Sequence, residues 1–166
     1  MKLSRNLAII LLIVVNIAVD QISKLIVDSK MNLGETIEVF GNTFILQYVK
    51  NSGAFLGMGS ELNDTLRIIL LILLPVLVLS YLVFYIFKNK HLDKLAIIGL
   101  SCIAGGGIAN IFDRIAYGKV IDFLHLDFGG VFRTGIFNLA DVSVTSGMIL
   151  LLLGSFFTKK KTTTVE

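Results

Sequence analysis

Residues 68–87 read IILLILLPVLVLSYLVFYIF and contain no charged side chain. A helix needs about 20 such residues to cross the hydrocarbon of a bilayer, so this run, with its flank, predicts a span over residues 66–87. Three further apolar runs have comparable length, at about residues 7–27, 95–112 and 138–157. Charged residues make up only 16% of the chain and hydrophobic ones 55%, whereas soluble domains carry about 25% charged residues. The predicted fold is a membrane α-helical one, with four transmembrane helices in a single domain over residues 1–166. That size excludes a large transporter with repeated halves.

Each span carries a local signature. Lys2 and Arg5 precede the first run as they would in a signal peptide, but no small-x-small cleavage site follows, so it reads as an uncleaved helix. Pro75 lies inside the second, where neighbouring helices can re-satisfy the carbonyl it frees. Gly105, Gly106 and Gly107 lie in the third, where small residues let helices approach closely. The single cysteine, Cys102, reads as a small core hydrophobe, and His91 and His125 lack H-E-x-x-H spacing. Neither a metal site nor thiol chemistry is expected.

Basic residues set the orientation. Lys2 and Arg5, then Lys88, Lys90 and Lys94, then Lys159, Lys160 and Lys161 fall on one side of a four-span chain in short segments. Lys30, Lys50, Arg114, Lys119 and Arg133 are spread over two long loops, residues 28–65 and 113–137, on the other. By the positive-inside rule both termini are cytoplasmic and the long loops face outward. Those loops alternate like strands: Ile37/Val39 and Phe44/Leu46/Tyr48 flank a Gly41-Asn42 turn, and residues 119–128 run into Gly129-Gly130. A small extracytoplasmic β-sheet is expected on the bundle. The KKKTTTVE end reads as a disordered tail.

Ionisable groups at membrane depth are costly and normally find partners inside the bundle. Asn16, Asp20 and Lys24 share one face of the first helix; Asp20 and Lys24 could pair internally or touch a substrate. Asn110, Asp113 and Arg114 share a face near the outer end of the third, where Asp113 could anchor Arg114 and a loop. Arg114 could instead hold a carboxylate or carbonyl with its planar fork. Asn138, Asp141 and Thr145 share a face of the fourth, where Asp141 could cap the helix start. Asp122 differs, because it sits among large apolar residues in VIDFLHL. His125, in the same stretch, reads as packing or surface. Two carboxylates brought into one cleft titrate as a pair and supply an acid and a base together, as peptide hydrolysis needs. Spacing alone does not bring Asp122 and Asp141 together.

These motifs resemble those of the bacterial lipoprotein signal peptidases, signal peptidase II, in order along nearly the whole chain. Asp20-Gln21-x-Ser23-Lys24 is similar to the family's D-Q-x-[ST]-K, and Asn51-Ser52-Gly53-Ala54-Phe55 to its N-x-G-A-[AF] element. Gly105 to Arg114, followed by Gly118 to Phe123, resembles G-G-x-x-G-N-x-x-D-R…G-x-V-x-D-F. Phe137 to Asp141 matches F-N-x-A-D. The chain departs from the family at Ala109, where glycine is usual, in the fuller form of the second element, where N-x-G-A-A-[FW]-G reads NSGAFLG, and at Gly135, where proline usually stands.

The resemblance implies an intramembrane aspartyl endopeptidase that cleaves diacylglyceryl-modified prolipoproteins before the lipidated cysteine. Asp122 and Asp141 would be the catalytic dyad. Asn51, Gly53, Asn110, Arg114 and Asn138 would bind or support around the cleft, with Asp20 and Lys24 nearby. It implies no metal or organic cofactor and no nucleic-acid partner. Its partners would be prolipoproteins, membrane lipids and globomycin-type cyclic peptide inhibitors, at the outer face of the bacterial cytoplasmic (inner) membrane. The alternative is a small four-helix proton-coupled transporter, which should hold its carboxylates near the bilayer midplane. A membrane scaffold would leave the outward carboxylates and asparagines unexplained.

Overall fold

The computed structural model describes residues 3–53, 59 and 62–162, and side chains as far as residue 156. Among the described residues four helices are long and apolar enough to cross a membrane. In chain order the elements are α1 (Arg5–Lys30), β1 (Thr36–Phe40), β2 (Phe44–Asn51), α2 (Asp64–Ile68), a π-helical turn (Ile69–Leu73), α3 (Leu74–Lys88), α4 (Lys94–Tyr117), β3 (Val120–Phe128), β4 (Phe132–Arg133) and α5 (Leu139–Thr162). The second span is α2, the π turn and α3 together.

Capping residues set the helix starts. The side chains of Ser4, Asn63 and Asp93 accept from Leu7 N, Leu66 N and Ala96 N at 3.3, 2.9 and 2.8 Å, satisfying amides that a first turn leaves without partners. Pro75 enters the second span directly after the π turn, where the extra residue per turn accommodates a ring that clashes with a regular preceding turn.

Three spans differ from their sequence-based limits. α1 runs to Lys30 and α4 to Tyr117, although both were expected to end nearer their first outer charges. Asp113 lies inside α4 because Lys24 of α1 neutralises it, so the charge does not stop the helix. Gly118 stops it, with a left-handed backbone (φ 71°) and its N–H on the Arg114 carbonyl. The expected disordered tail is also corrected in part: α5 continues through the lysines to Thr162, and residues 163–166 lie outside the described residues.

Helix α4 is central and packs against α1, α3 and α5. Its three consecutive glycines each face a different neighbour. A side-chain carbon at Gly105 would meet Asn16 and Ile13 of α1, one at Gly107 would meet Leu79 of α3, and one at Gly106 would strike the Ala140 carbonyl of α5. Backbone cannot turn aside as a side chain can. Gly106→Ala is therefore expected to lower stability by about 1–3 kcal/mol, read as a lower thermal transition of the detergent-purified protein. An unchanged transition would show that α4 and α5 do not pack this closely.

The sheet is antiparallel, in the order β1-β2-β3-β4. Val27 and Met31 at the end of α1 bury against Tyr48 and Phe123, with Leu46, Ile121, Leu124 and Leu139 around them. The Tyr48 hydroxyl donates to the Asp28 carboxylate, fixing the middle of β2 level with the last turn of α1. After β4 the chain returns beside β3: Phe137 N donates to Leu124 O at 2.9 Å and Phe137 O accepts from Leu124 N at 2.8 Å. That return delivers Asn138 and the start of α5 next to Asp122. β1 behaves otherwise than its alternation suggests, being exposed along its whole length.

Candidate active site

Alternation along β3 buries Phe123 under the sheet, and Asp122 is itself only 4% exposed. Its two carboxylate oxygens accept from Asn138 Nδ2 at 2.6 Å and Asn51 Nδ2 at 2.9 Å. Loss of water pushes the Asp122 carboxyl up to about 6; the Asn51 donor opposes the shift, the negative charge of Asp141 adds to it, and the Asn138 donor opposes it.

Asp141 lies in the first turn of α5 and does act as a cap, in a reciprocal arrangement. Its Oδ2 accepts from Asn138 N at 3.2 Å while Asn138 Oδ1 accepts from Asp141 N at 3.0 Å. Its other oxygen accepts from Asn110 Nδ2 at 2.9 Å, and Asn138 Nδ2 also reaches Asn110 Oδ1 at 3.1 Å. Asn138 thus touches both carboxylates, one through its amide side chain and one through its backbone. Chain return and cap together bring Asp122 and Asp141 to one place, which spacing could not establish. Neither stands mid-span: one is on a strand, the other at a helix start.

Beneath the two asparagines lies an ionic layer. Lys24 is 3% exposed, and its ammonium meets Asp20 at 2.7 Å, Asp113 at 2.6 Å and Asn110 Oδ1 at 2.8 Å, using its three donors. Asp20 accepts from Ala140 N at 2.8 Å, at the start of α5. The expected internal pairing of Asp20 with Lys24 is present and has a third member, Asp113. The expected anchoring of Arg114 by Asp113 is not. Adjacent helical residues point to different faces, and among the described residues Asp113 is held by Lys24 and Gln21.

Arg114 instead donates to Gly53 O at 3.0 Å and Asn110 O at 3.2 Å. It holds the turn after β2, in which Gly53 N donates to Asn51 Oδ1 at 2.8 Å. Ala54 and Phe55 of that motif lie outside the described residues. A cleft of 540 Å³ opens against Asp122 and Asn51 and is lined also by Gln47, His125, Arg133 and Thr134. His125 borders this cleft, half-buried rather than packed in the core.

The sequence reading gave Gln21 no role, yet its amide bridges Asp113 Oδ1 at 2.8 Å and Asp20 Oδ2 at 3.3 Å. Ser143, likewise not singled out by the sequence, donates its hydroxyl to Asn16 Oδ1 and lies on the Cys102 carbonyl at 2.9 Å. The available signal was the same for both: a polar side chain inside an apolar helix, where hydrocarbon supplies no partner.

A family model described as Signal peptidase (SPase) II matches residues 12–157. The lipoprotein signal peptidase of Borrelia duttonii is 35% identical over 170 residues, covering 98% of this chain and 99% of that protein. That of Clostridium tetani is 35% identical over 144 residues, covering 87% and 89%. A solved bacterial membrane enzyme superposes with a TM-score of 0.80 at 26% identity, over 96% of this chain and 92% of that one.

Proposed function

The chain belongs to the signal peptidase II family, and from that premise we propose that it is an intramembrane aspartyl endopeptidase with Asp122 and Asp141 as its dyad. The family removes signal peptides from lipoproteins. The proposal adds that cleavage falls immediately before the diacylglyceryl cysteine, at the outer face of the cytoplasmic membrane, with both termini inside. The single observation carrying it is Asn138, bonded to Asp122 and Asp141 at once.

One carboxylate of the pair, ionised, takes a proton from water as the water attacks the scissile carbonyl. Its partner, protonated, hydrogen-bonds the carbonyl oxygen; as the C–N bond then breaks, the carboxyl that took water's proton passes it to the departing amine. Asn51, Asn110 and Asn138 hold the four carboxylate oxygens in place, so only the protons move. Arg114 keeps Gly53, and through it Asn51, in position. Lys24 and Asp20 fix Asn110 and the start of α5 from below. Acyl chains of the substrate stay among membrane lipids while water reaches the dyad from the sheet side. On this reading a globomycin-type cyclic peptide would inhibit by placing a hydroxyl between the two carboxylates, where the attacking water would stand.

The direct test is incubation of the purified protein with a diacylglyceryl-modified prolipoprotein. A product shortened by its signal peptide is expected; an uncut substrate, with the unlipidated precursor also uncut, removes the proposal. The pH profile adds a second check. Asp122 keeps its proton up to about pH 6, so kcat/KM, which reports the free enzyme, should fall as pH rises through that value. Bound substrate excludes more water, so kcat should fall at a higher pH. A flat profile from pH 5 to 8 would show that no shared proton is needed.

A further inference from the structure

The end of the sheet farthest from Asp122 carries aromatic side chains that the site does not use. Register pairs Phe44 with Leu126 at that end and Asn51 with Val120 at the other. The β1–β2 turn and the β3–β4 turn therefore lie side by side, tied by Asp127 N on Thr43 O at 3.0 Å. Across the first turn Phe40 stacks on Phe44 with ring centres 6.3 Å apart, and across the second Phe128 meets Phe132 at 6.2 Å. These rings are not buried. Phe40 is 74% exposed, Phe132 62%, Phe128 53%, and Val131 at the tip 95%. Outside the spans, so concentrated an apolar surface facing water marks a docking site.

We propose that the two hairpin tips dock on lipid, inserting their phenylalanines into the headgroup–acyl boundary of the leaflet beside the sheet. The height fits. Tyr48 and Lys50 are bound to Asp28 in the last turn of α1, the latter pair at 3.1 Å, so β2 sits level with the helix ends. From Tyr48 to Phe44 is about 13 Å of strand, and none of Phe40, Phe44, Phe128 and Phe132 belongs to the cluster that seats the sheet on Val27 and Met31. Aromatic rings belong at that depth. The Asp127 carboxylate is occupied at the turn, accepting from Gly130 N at 2.7 Å. The sheet then rests on protein in its middle and on lipid at its tips, which holds β3 and Asp122 at a set height.

The chain has no tryptophan, so one indole introduced at a tip is the only one. The full-length variants Phe40→Trp and Phe132→Trp are reconstituted separately into phosphatidylcholine vesicles, with and without phosphatidylcholine brominated along its acyl chains. Both sites are exposed, and a thermal transition matching the parent establishes that each variant folds. The expected result is blue-shifted emission from both, strongly quenched by brominated lipid and little by aqueous acrylamide. Quenching by acrylamide alone would place the tips in water. Emission resistant to both quenchers would place them against protein, as in a second copy of the chain. Either result, or a response at only one tip, overturns the proposal.

Discussion

Asp122→Asn and Asp141→Asn are each expected to lower the rate of signal-peptide removal by about 10³-fold or more, and the double variant no further than the worse single one. An amide keeps the shape of the side chain but can neither take a proton from water nor share one with its partner. Two groups that act on one proton fail together, so their losses do not add. The fold should survive. At position 122 the amide still accepts from one of Asn51 and Asn138 and meets the other with a donor, a mismatch worth roughly 1–3 kcal/mol. Circular dichroism and thermal melting should accordingly report folded protein with a slightly lower transition. Near-parental turnover by either purified variant would take that residue out of the dyad, and additive losses would show that the two carboxylates work independently.

The spans were legible because hydrocarbon admits few alternatives: a run such as 68–87 has nowhere to go but across a bilayer. Their ends were not, because a charge that looks like a stop can be matched from another helix, as Lys24 matches Asp113. The two carboxylates proposed as the dyad stood out individually, Asp122 among large apolar side chains and Asp141 at a helix start. Their meeting depends on the Phe137–Leu124 pairing and on the cap made by Asn138, both long-range results of folding that leave no periodicity to read. Motif resemblance supplied that link, since the family's pattern keeps residues in order without saying why they belong together. The exposure of β1 was hidden for the same reason. Alternation predicts a strand but not which of its faces finds a partner, or whether that partner is protein.

Lys24→Met should produce the largest loss of stability of any single change considered, about 3–5 kcal/mol, seen as a sharply lower thermal transition and yield. Methionine fills much the same volume, so the effect is electrical. The ammonium is the shared partner of two buried carboxylates, Asp20 at 2.7 Å and Asp113 at 2.6 Å, and the change leaves both facing hydrocarbon and each other. Asp20 keeps Ala140 N and Gln21 as donors, and Asp113 keeps Gln21. Neutralising Asp113 is therefore the natural repair. Asp113→Asn alone should cost less than Lys24→Met, and the combined Lys24→Met/Asp113→Asn protein should be more stable than Lys24→Met alone, a coupling of about 0.5–3 kcal/mol. Cleavage should follow a different order. Asn110 Oδ1 loses its Lys24 donor in both Lys24 variants while its amide still serves Asp141, so the repaired protein should fold better yet stay slow. Recovery of rate in step with stability would show that Lys24 acts only on the fold, and a Lys24→Met protein melting like the parent would remove the ionic layer from the account altogether.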